Sequence, residues 1–360
     1  MIMLCAKSTF IAIKEIIMKE QKPKYYPLLD FLKLFAAFMV VTIHVGRNIG
    51  PLENFAAIRR FAVPFFIIIT GYFLYAADHK KQTAKFANLF KKMVWLNVIW
   101  GLVYFVPYVI LKENGNFLKF ITNFNINFNN IVKQVPLISE YAYEHGHLWY
   151  ITALIVAAGV LYLLSRYLPE KVFKIILHLL PLLLIQGILV FRLKFFYNID
   201  THYYDYRNAW FATLPFLAIG MLFRKYYMET KIGDIILLLL IIPLWCFNII
   251  EVQKGLDFSI SGSLLAIIFF SLAITKYNAN INNKIVVACS RFAGSASAFI
   301  FFAHIFFREY FLHNPHNKVP QDKQAYVAFS ICLIIYLVYY LVKKLIVKRK
   351  THEKNTVLVS

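Results

Sequence analysis

Two ionisable residues in the first apolar run, Lys33 and His44, have types and a spacing that could support chemistry. They stand eleven positions apart in "LLDFLKLFAAFMVVTIHVGRNIG", which covers residues 28–50. In an α-helix eleven residues advance by about 1100°, roughly three full turns, so both side chains lie on one face about 16 Å apart along the axis. Asp30 is an i, i+3 neighbour of Lys33. Ionisable groups inside a membrane-length segment indicate a functional site by default.

More polar residues border later apolar runs, mostly at the end where His44 is expected. Arg59 and Arg60 precede the second run, and His304 lies within the ninth. The full candidate set is Asp30, Lys33, His44, Arg47, Arg59, Arg60, Glu144, His147, Trp149, Tyr150, Arg207, Asn208 and His304. The alternative for the terminal charged groups is snorkelling to the membrane interface. For the histidines it is structural hydrogen bonding.

A histidine close to arginines suits general-base removal of a hydroxyl proton, while the cations stabilise developing negative charge or an anionic donor. Other kinds of site are not indicated. The histidines lack a compact spacing such as HExxH, so no metal is predicted. The apolar runs contain no paired carboxylates, which disfavours a proton pump or a glycosidase. The segment "GSASA" at 294–298 misses the GxSxG pattern, and close helix packing explains its small residues better.

The composition indicates an integral membrane protein. Of the 360 residues, 60% are hydrophobic and 18% aromatic, and the mean hydropathy is +0.60. A soluble domain of this length could not bury so much apolar surface. The net charge of +21 comes from short Lys and Arg clusters between apolar runs. That pattern favours membrane topology and anionic lipid over nucleic acid as the partner.

Ten apolar runs have the length and composition of membrane-spanning helices. The predicted spans are 31–49, 61–77, 93–111, 147–164, 174–191, 210–223, 234–250, 260–275, 293–311 and 325–342. Pro215 and Gly220 interrupt the sixth, which is therefore predicted to be kinked or tilted. The predicted fold class is an all-α integral membrane protein, a bundle of about ten transmembrane helices.

The charges between the runs predict the orientation. With a cytoplasmic N-terminus, 25 Lys and Arg residues fall in cytoplasmic segments and 13 in outer segments. This bias follows the positive-inside rule and places both termini in the cytoplasm. A membrane domain is predicted over 25–345, followed by a basic cytoplasmic tail over 346–360. Residues 1–24 are predicted to be a cytoplasmic segment, either an amphipathic interfacial helix or an over-extended start with Met18 as the true initiator.

Five segments resemble successive motifs of the acyltransferase family 3 membrane proteins. They are "LDFLKLFAAFMVVTIH", "IRRFAVPFFIIITGYFL", "HLWYITALI", "YRNAWFATLPFLAIGMLF" and "SASAFIFFAHIFF". They occur in family order and cover nearly the whole chain. The resemblance implies a bundle of about ten spans that moves acetyl or related acyl groups from acyl-CoA. The acceptors it implies are hydroxyls, or sometimes amines, of carbohydrates and other cell-envelope molecules.

The resemblance also implies roles for individual residues. The family's first span carries a basic residue, ten further residues and then a histidine, which here correspond to Lys33 and His44. The family commonly has arginine at the first position, and lysine keeps the charge but lacks the planar bidentate fork. We expect Lys33, with Asp30 beside it, to bind the donor. His44 would act as general base, with Arg59 or Arg60 stabilising the oxyanion or positioning the acceptor.

The remaining candidates are expected to contact the acceptor or support the site. They are Arg47, Glu144, His147, Trp149, Tyr150, Arg207, Asn208 and His304. No tightly bound cofactor is expected, only acyl-CoA, with acetyl-CoA the expected donor substrate. The expected partners are a carbohydrate or other envelope acceptor and membrane lipid, and the expected location is a bacterial plasma membrane.

A transporter or flippase of a polysaccharide or lipid-linked intermediate is the alternative function. Such proteins often show internal repeats and a polar site near the middle of the membrane. This chain shows no internal repeat, and its polar residues gather toward one face. Both features favour the enzyme.

Overall fold

The computed structural model describes residues 25–45, 57–111, 149–199, 208–226, 234–254, 259–275, 281–313 and 318–357. Within these ranges the chain folds into helices and contains no strand. This confirms the predicted all-α class. The predicted N-terminal segment 1–24 lies outside the described residues.

Ten helical segments follow one another in the described part, and each overlaps one predicted span. They are α1 (Pro27–His44), α2 (Ala57–Leu74), α3 (His79–Leu111), α4 (Trp149–Tyr167), α5 (Glu170–Tyr197), α6 (Ala209–Thr213 and Leu214–Lys225), α7 (Asp234–Gln253), α8 (Ile260–Ala273), α9 (Lys284–His313) and α10 (Gln321–Val357). Seven of them, α1, α2, α4, α5, α7, α9 and α10, are long and apolar enough to cross a membrane. The chain is therefore a multi-pass membrane protein, as predicted.

The interruption predicted at Pro215 and Gly220 is absent, because both residues lie in the continuous α-helix Leu214–Lys225, and a π turn precedes this helix instead. Residues Ala209–Thr213 form this turn, and the α-helix Leu214–Lys225 continues from it with Pro215 in its first turn. The Thr213 amide donates to the Asn208 carbonyl at 3.1 Å, the five-residue spacing of a π turn. Proline fits here because the amide of an early helical position needs no intrahelical acceptor.

Two glycines bring α2 and α6 into backbone contact. A Cβ atom on Gly71 would lie 2.2 Å from the Leu217 carbonyl oxygen, and one on Gly220 would lie 2.0 Å from the Ile68 carbonyl oxygen. Small residues allow this close approach between helices in a membrane. The contact lies in the second half of α2, away from Arg59 and Arg60 at its start, and it fixes how α6 runs alongside α2.

Helix α1 lies between two apolar clusters. One side joins the main core with buried side chains of α2, α4, α6 and α8, including Phe61, Phe216 and Phe270. The other side packs through Ala37 and Val41 on small residues of α9 and on α10. Because α1 is held from both sides, its two ends, with Asp30 at one and His44 at the other, have fixed surroundings.

Candidate active site

A cavity lies at the His44 end of α1, where α1, α2, α4 and α6 meet. Its polar and aromatic lining consists of His44, Arg59, Arg60 and Trp149, and the remaining lining residues are apolar or small. The cavity encloses about 550 Å³ together with its open mouth. Residues from four separate sequence motifs therefore meet around one space. The apolar walls lower the local dielectric, which strengthens the effect of the two guanidinium groups on any negative charge inside.

The two arginines stand on a tight turn that opens α2. Residues Ala57–Phe61 form a 3₁₀ turn in which Ile58 and Phe61 are buried and both arginines are half-buried. Arg59 donates from Nη1 to the Thr42 carbonyl at 3.3 Å. Because Thr42 precedes His44 by two residues, this bond ties the start of α2 to the end of α1.

A second histidine lies against the first. The ring centroids of His44 and His304 are 5.4 Å apart, with 37° between the ring planes. His304 is fully buried in α9, and its Nδ1 lies 3.1 Å from the Ile300 carbonyl oxygen. A carbonyl oxygen only accepts, so Nδ1 of His304 carries the hydrogen in this bond, which leaves Nε2 as the acceptor nitrogen of the neutral ring. His304 therefore packs beside His44, although it is not among the residues that line the cavity.

Trp149 and Tyr150 begin α4, and they face different neighbours. Trp149 lines the cavity. The Tyr150 ring packs edge-on against Phe301 of α9 at 5.5 Å, and its hydroxyl bonds to the side chain of Thr70 in α2. Tyr150 thus joins three helices behind the cavity wall.

Asn208 caps the π turn of α6. Its side-chain oxygen accepts from the amides of Trp210 and Phe211 at 2.9 and 2.8 Å, and the residue is fully buried. Asparagine is a preferred helix cap because its side chain satisfies amides at the start of the helix. The structure gives Asn208 this positioning contact, and the turn it caps supplies Ala212 to the cavity wall.

The other end of α1 carries an ion pair. Lys33 Nζ donates to Asp30 Oδ1 at 2.8 Å, and the Tyr25 hydroxyl donates to Asp30 Oδ2 at 2.9 Å. Partial burial raises the pKa of the Tyr25 hydroxyl above its usual value. Helix α9 approaches closely here, since a Cβ on Gly294 would lie 2.3 Å from Asp30 Oδ1. Asp30, Lys33 and His44 thus lie on one continuous helix, with the ion pair and the cavity at opposite ends.

Four predicted site residues lie outside the described residues. They are Arg47, Glu144, His147 and Arg207. In the described ranges, no group of three or more His, Cys, Asp or Glu side chains is arranged to hold a metal ion.

Sequence reasoning missed a buried carboxylate behind Arg60. Glu251, in the last turn of α7, is fully buried and accepts hydrogen bonds from the first residues of α8. The predicted seventh span ends at residue 250, so Glu251 falls just outside it. One signal was available: Asn248 and Glu251 share a helix face in an otherwise apolar segment.

The fold and the site together define a multi-pass membrane protein with a histidine–arginine cavity at one end of its first helix. The sequence model of acyltransferase family 3, described as an acyltransferase domain, matches residues 26–345. The chain belongs to this family. The match confirms the predicted family, and with it the class of a membrane acyltransferase.

Two curated proteins are similar over part of the chain. A serine/alanine racemase of Enterococcus gallinarum is 28% identical over 232 residues, which cover 59% of this chain and 31% of that protein. An amino-acid racemase of Enterococcus faecalis is 29% identical over 216 residues, which cover 55% of this chain and 28% of that protein. The chain thus matches less than a third of the length of either relative. No solved structure matches the chain.

Proposed function

We propose that the protein transfers an acetyl or similar short acyl group from acyl-CoA to a hydroxyl of a cell-envelope carbohydrate. One observation carries the proposal: His44, Arg59 and Arg60 line a single cavity in a chain of an acyltransferase family. An imidazole can remove a hydroxyl proton near neutral pH, and guanidinium groups stabilise an oxyanion. Acyl transfer to a hydroxyl needs both.

The reaction proceeds by direct attack in this proposal. His44 takes the proton of the acceptor hydroxyl while that oxygen attacks the thioester carbonyl. Negative charge develops on the carbonyl oxygen, and Arg59 or Arg60 stabilises it. The intermediate collapses as the carbon–sulfur bond breaks, and the departing CoA sulfur takes the proton from the His44 imidazolium. His304 packs against His44 and restricts the orientation of its ring.

Donor binding is assigned to the ion-pair end of α1. The Lys33 ammonium attracts a phosphate of acyl-CoA, and Asp30 holds that ammonium in place when the donor is absent. The two ends of the helix are about 16 Å apart for an eleven-residue separation. An extended pantetheine arm covers a distance of this order, so a donor anchored near Lys33 can present its thioester near His44.

Thioester turnover by purified protein tests the proposal. Wild type and His44→Ala are purified in detergent, and thiol release from acetyl-CoA is followed with and without a crude envelope-glycan fraction. Loss of a general base lowers rates by about 10²–10⁴-fold, so we expect glycan-stimulated release in the wild type and almost none in His44→Ala. His178→Ala is the matched control, because His178 is an exposed histidine that does not line the cavity.

Two results would contradict the proposal. Normal turnover in His44→Ala would exclude His44 as the base. No thiol release from folded wild type with acetyl or succinyl donors would instead favour the transporter or flippase, because a transporter does not consume a thioester.

A further inference from the structure

A cluster of four buried polar residues joins the end of α7 to the start of α8. This Glu251 cluster consists of Asn248, Glu251, Ser259 and Ser261, each at most 2% exposed. Glu251 accepts hydrogen bonds from the Ile260 amide at 2.8 Å, the Ser261 amide at 3.1 Å and the Ser261 hydroxyl. Asn248 donates from Nδ2 to Ser259 Oγ at 2.6 Å and to Ser261 Oγ at 2.9 Å.

Glu251 caps the amides that the local cap does not reach. Ser259 Oγ accepts from the Gly262 amide at 3.0 Å, and Glu251 accepts from the amides of Ile260 and Ser261, which have no acceptor within the helix. A carboxylate buried in a membrane protein carries a large desolvation penalty, which hydrogen bonds from the helix start offset only when their geometry is fixed. Glu251 therefore anchors the start of α8 to α7. The anchored turn of α8 packs beside the cavity.

That turn lies directly against Arg60. A Cβ atom on Gly262 would be 3.0 Å from Arg60 Cβ, 3.3 Å from the Arg60 carbonyl carbon and 2.4 Å from Ser259 Oγ. The backbone of α8 at Gly262 thus packs directly against the backbone and Cβ of Arg60. The same arginine lines the cavity beside His44.

We infer that Glu251 is a positioning residue for Arg60. The Glu251 cluster holds the first turn of α8, that turn holds the Arg60 backbone at Gly262, and the guanidinium is thereby kept at the place where the oxyanion forms. This inference rests on the proposed acyl transfer. Displacing a stabilising group by about 1 Å can lower a rate by about 10²-fold, so a loosened cluster lowers kcat while donor binding at the far end of α1 is kept.

Two variants loosen the cluster in different ways. Glu251→Gln replaces one acceptor oxygen with an amide donor opposite backbone amides, and Gly262→Ala presses a methyl group against Arg60 and Ser259. We expect kcat per folded molecule to fall about 10- to 100-fold in both, with the KM for acetyl-CoA little changed. Matched controls are Glu170→Gln, a carboxylate that pairs with Lys174 elsewhere, and Gly159→Ala, where a Cβ would meet Phe90 at an ordinary 3.5 Å.

A double-mutant cycle with Arg60→Lys separates positioning from general stability. If Glu251 acts through Arg60, Glu251→Gln lowers kcat much less in the Arg60→Lys background than in the wild type, because coupled residues are non-additive. Should Glu251→Gln fail to fold, the cycle uses Ser261→Ala, which removes one hydroxyl. Additive effects, or variants with less folded protein but unchanged activity per folded molecule, overturn the inference. An inactive wild type would instead overturn the proposed function.

Discussion

At the scale of residues, the proposed mechanism assigns catalysis to one end of α1 and donor binding to the other. His44 and the arginines share a cavity, whereas Lys33 is paired with Asp30 at the other end of the same helix. Substitutions at the two ends should therefore change different kinetic parameters.

The arginines should control kcat. Removing one donor to an oxyanion typically lowers kcat by about 10²–10³-fold. We expect a loss of that order for Arg60→Ala in the thiol-release assay. The loss should be smaller for Arg60→Lys, because lysine keeps the positive charge but lacks the planar guanidinium that donates two parallel hydrogen bonds. Equal activity of Arg60→Ala and wild type would assign oxyanion stabilisation to another group.

Lys33 should control the KM for the donor. Lys33→Ala removes the ammonium from the ion-pair end, so the KM for acetyl-CoA should rise several-fold while kcat stays near the wild-type value. Lys33→Arg is the matched variant, because arginine pairs with phosphate through two parallel hydrogen bonds, and it should keep or lower that KM. A fall in kcat with unchanged KM in Lys33→Ala would argue against donor binding at Lys33.

At the scale of elements, close contacts between helices at glycine residues help to hold the helices that form the site. Gly71 and Gly220 let α2 and α6 touch along the second half of α2, and α6 lines the cavity through Ala212 and Phe216 near the arginines at the start of α2. Apolar runs and charge bias predicted the helices themselves, because lipid imposes a length and a hydropathy that can be read directly. They did not predict which helices are in contact. The sequence of an apolar run does not show whether its glycines face lipid or the backbone of another helix.

For the candidate site, the sequence likewise predicted which residues share a helix but not which helices meet. The spacing of Lys33 and His44 places both on one helix, and this holds in the structure. The meeting of His44 with His304, and the burial of Glu251, depend on contacts between helices far apart in sequence. No periodicity within one segment contains that information.

The contact between α2 and α6 gives a stability prediction. A Cβ on Gly220 would lie 2.0 Å from the Ile68 carbonyl oxygen, so Gly220→Ala must push the helices apart. Overpacking of this kind lowers stability by about 1–3 kcal/mol, which should appear as a lower midpoint of thermal unfolding in detergent. Gly159→Ala, where the nearest contact is the Phe90 side chain, is the control and should unfold near the wild-type midpoint. Equal midpoints for both variants would mean that the two backbones do not meet at Gly220.

At the scale of the whole molecule, the proposed mechanism needs the two ends of α1 on opposite sides of the membrane. The charge bias predicts the Asp30 end at the cytoplasm, where acyl-CoA is made available, and the His44 end toward the envelope acceptor. Single cysteines at exposed lysines test this arrangement: Lys80→Cys follows α2 at the predicted cytoplasmic face, and Lys254→Cys follows α7 at the outer face. With the four native cysteines replaced, a membrane-impermeant thiol reagent applied to intact cells should label Lys254→Cys alone. Both variants should be labelled after the membrane is opened. Labelling of Lys80→Cys in intact cells would reverse the orientation, and the donor would then have to enter at the His44 end, where Lys33 could not anchor it.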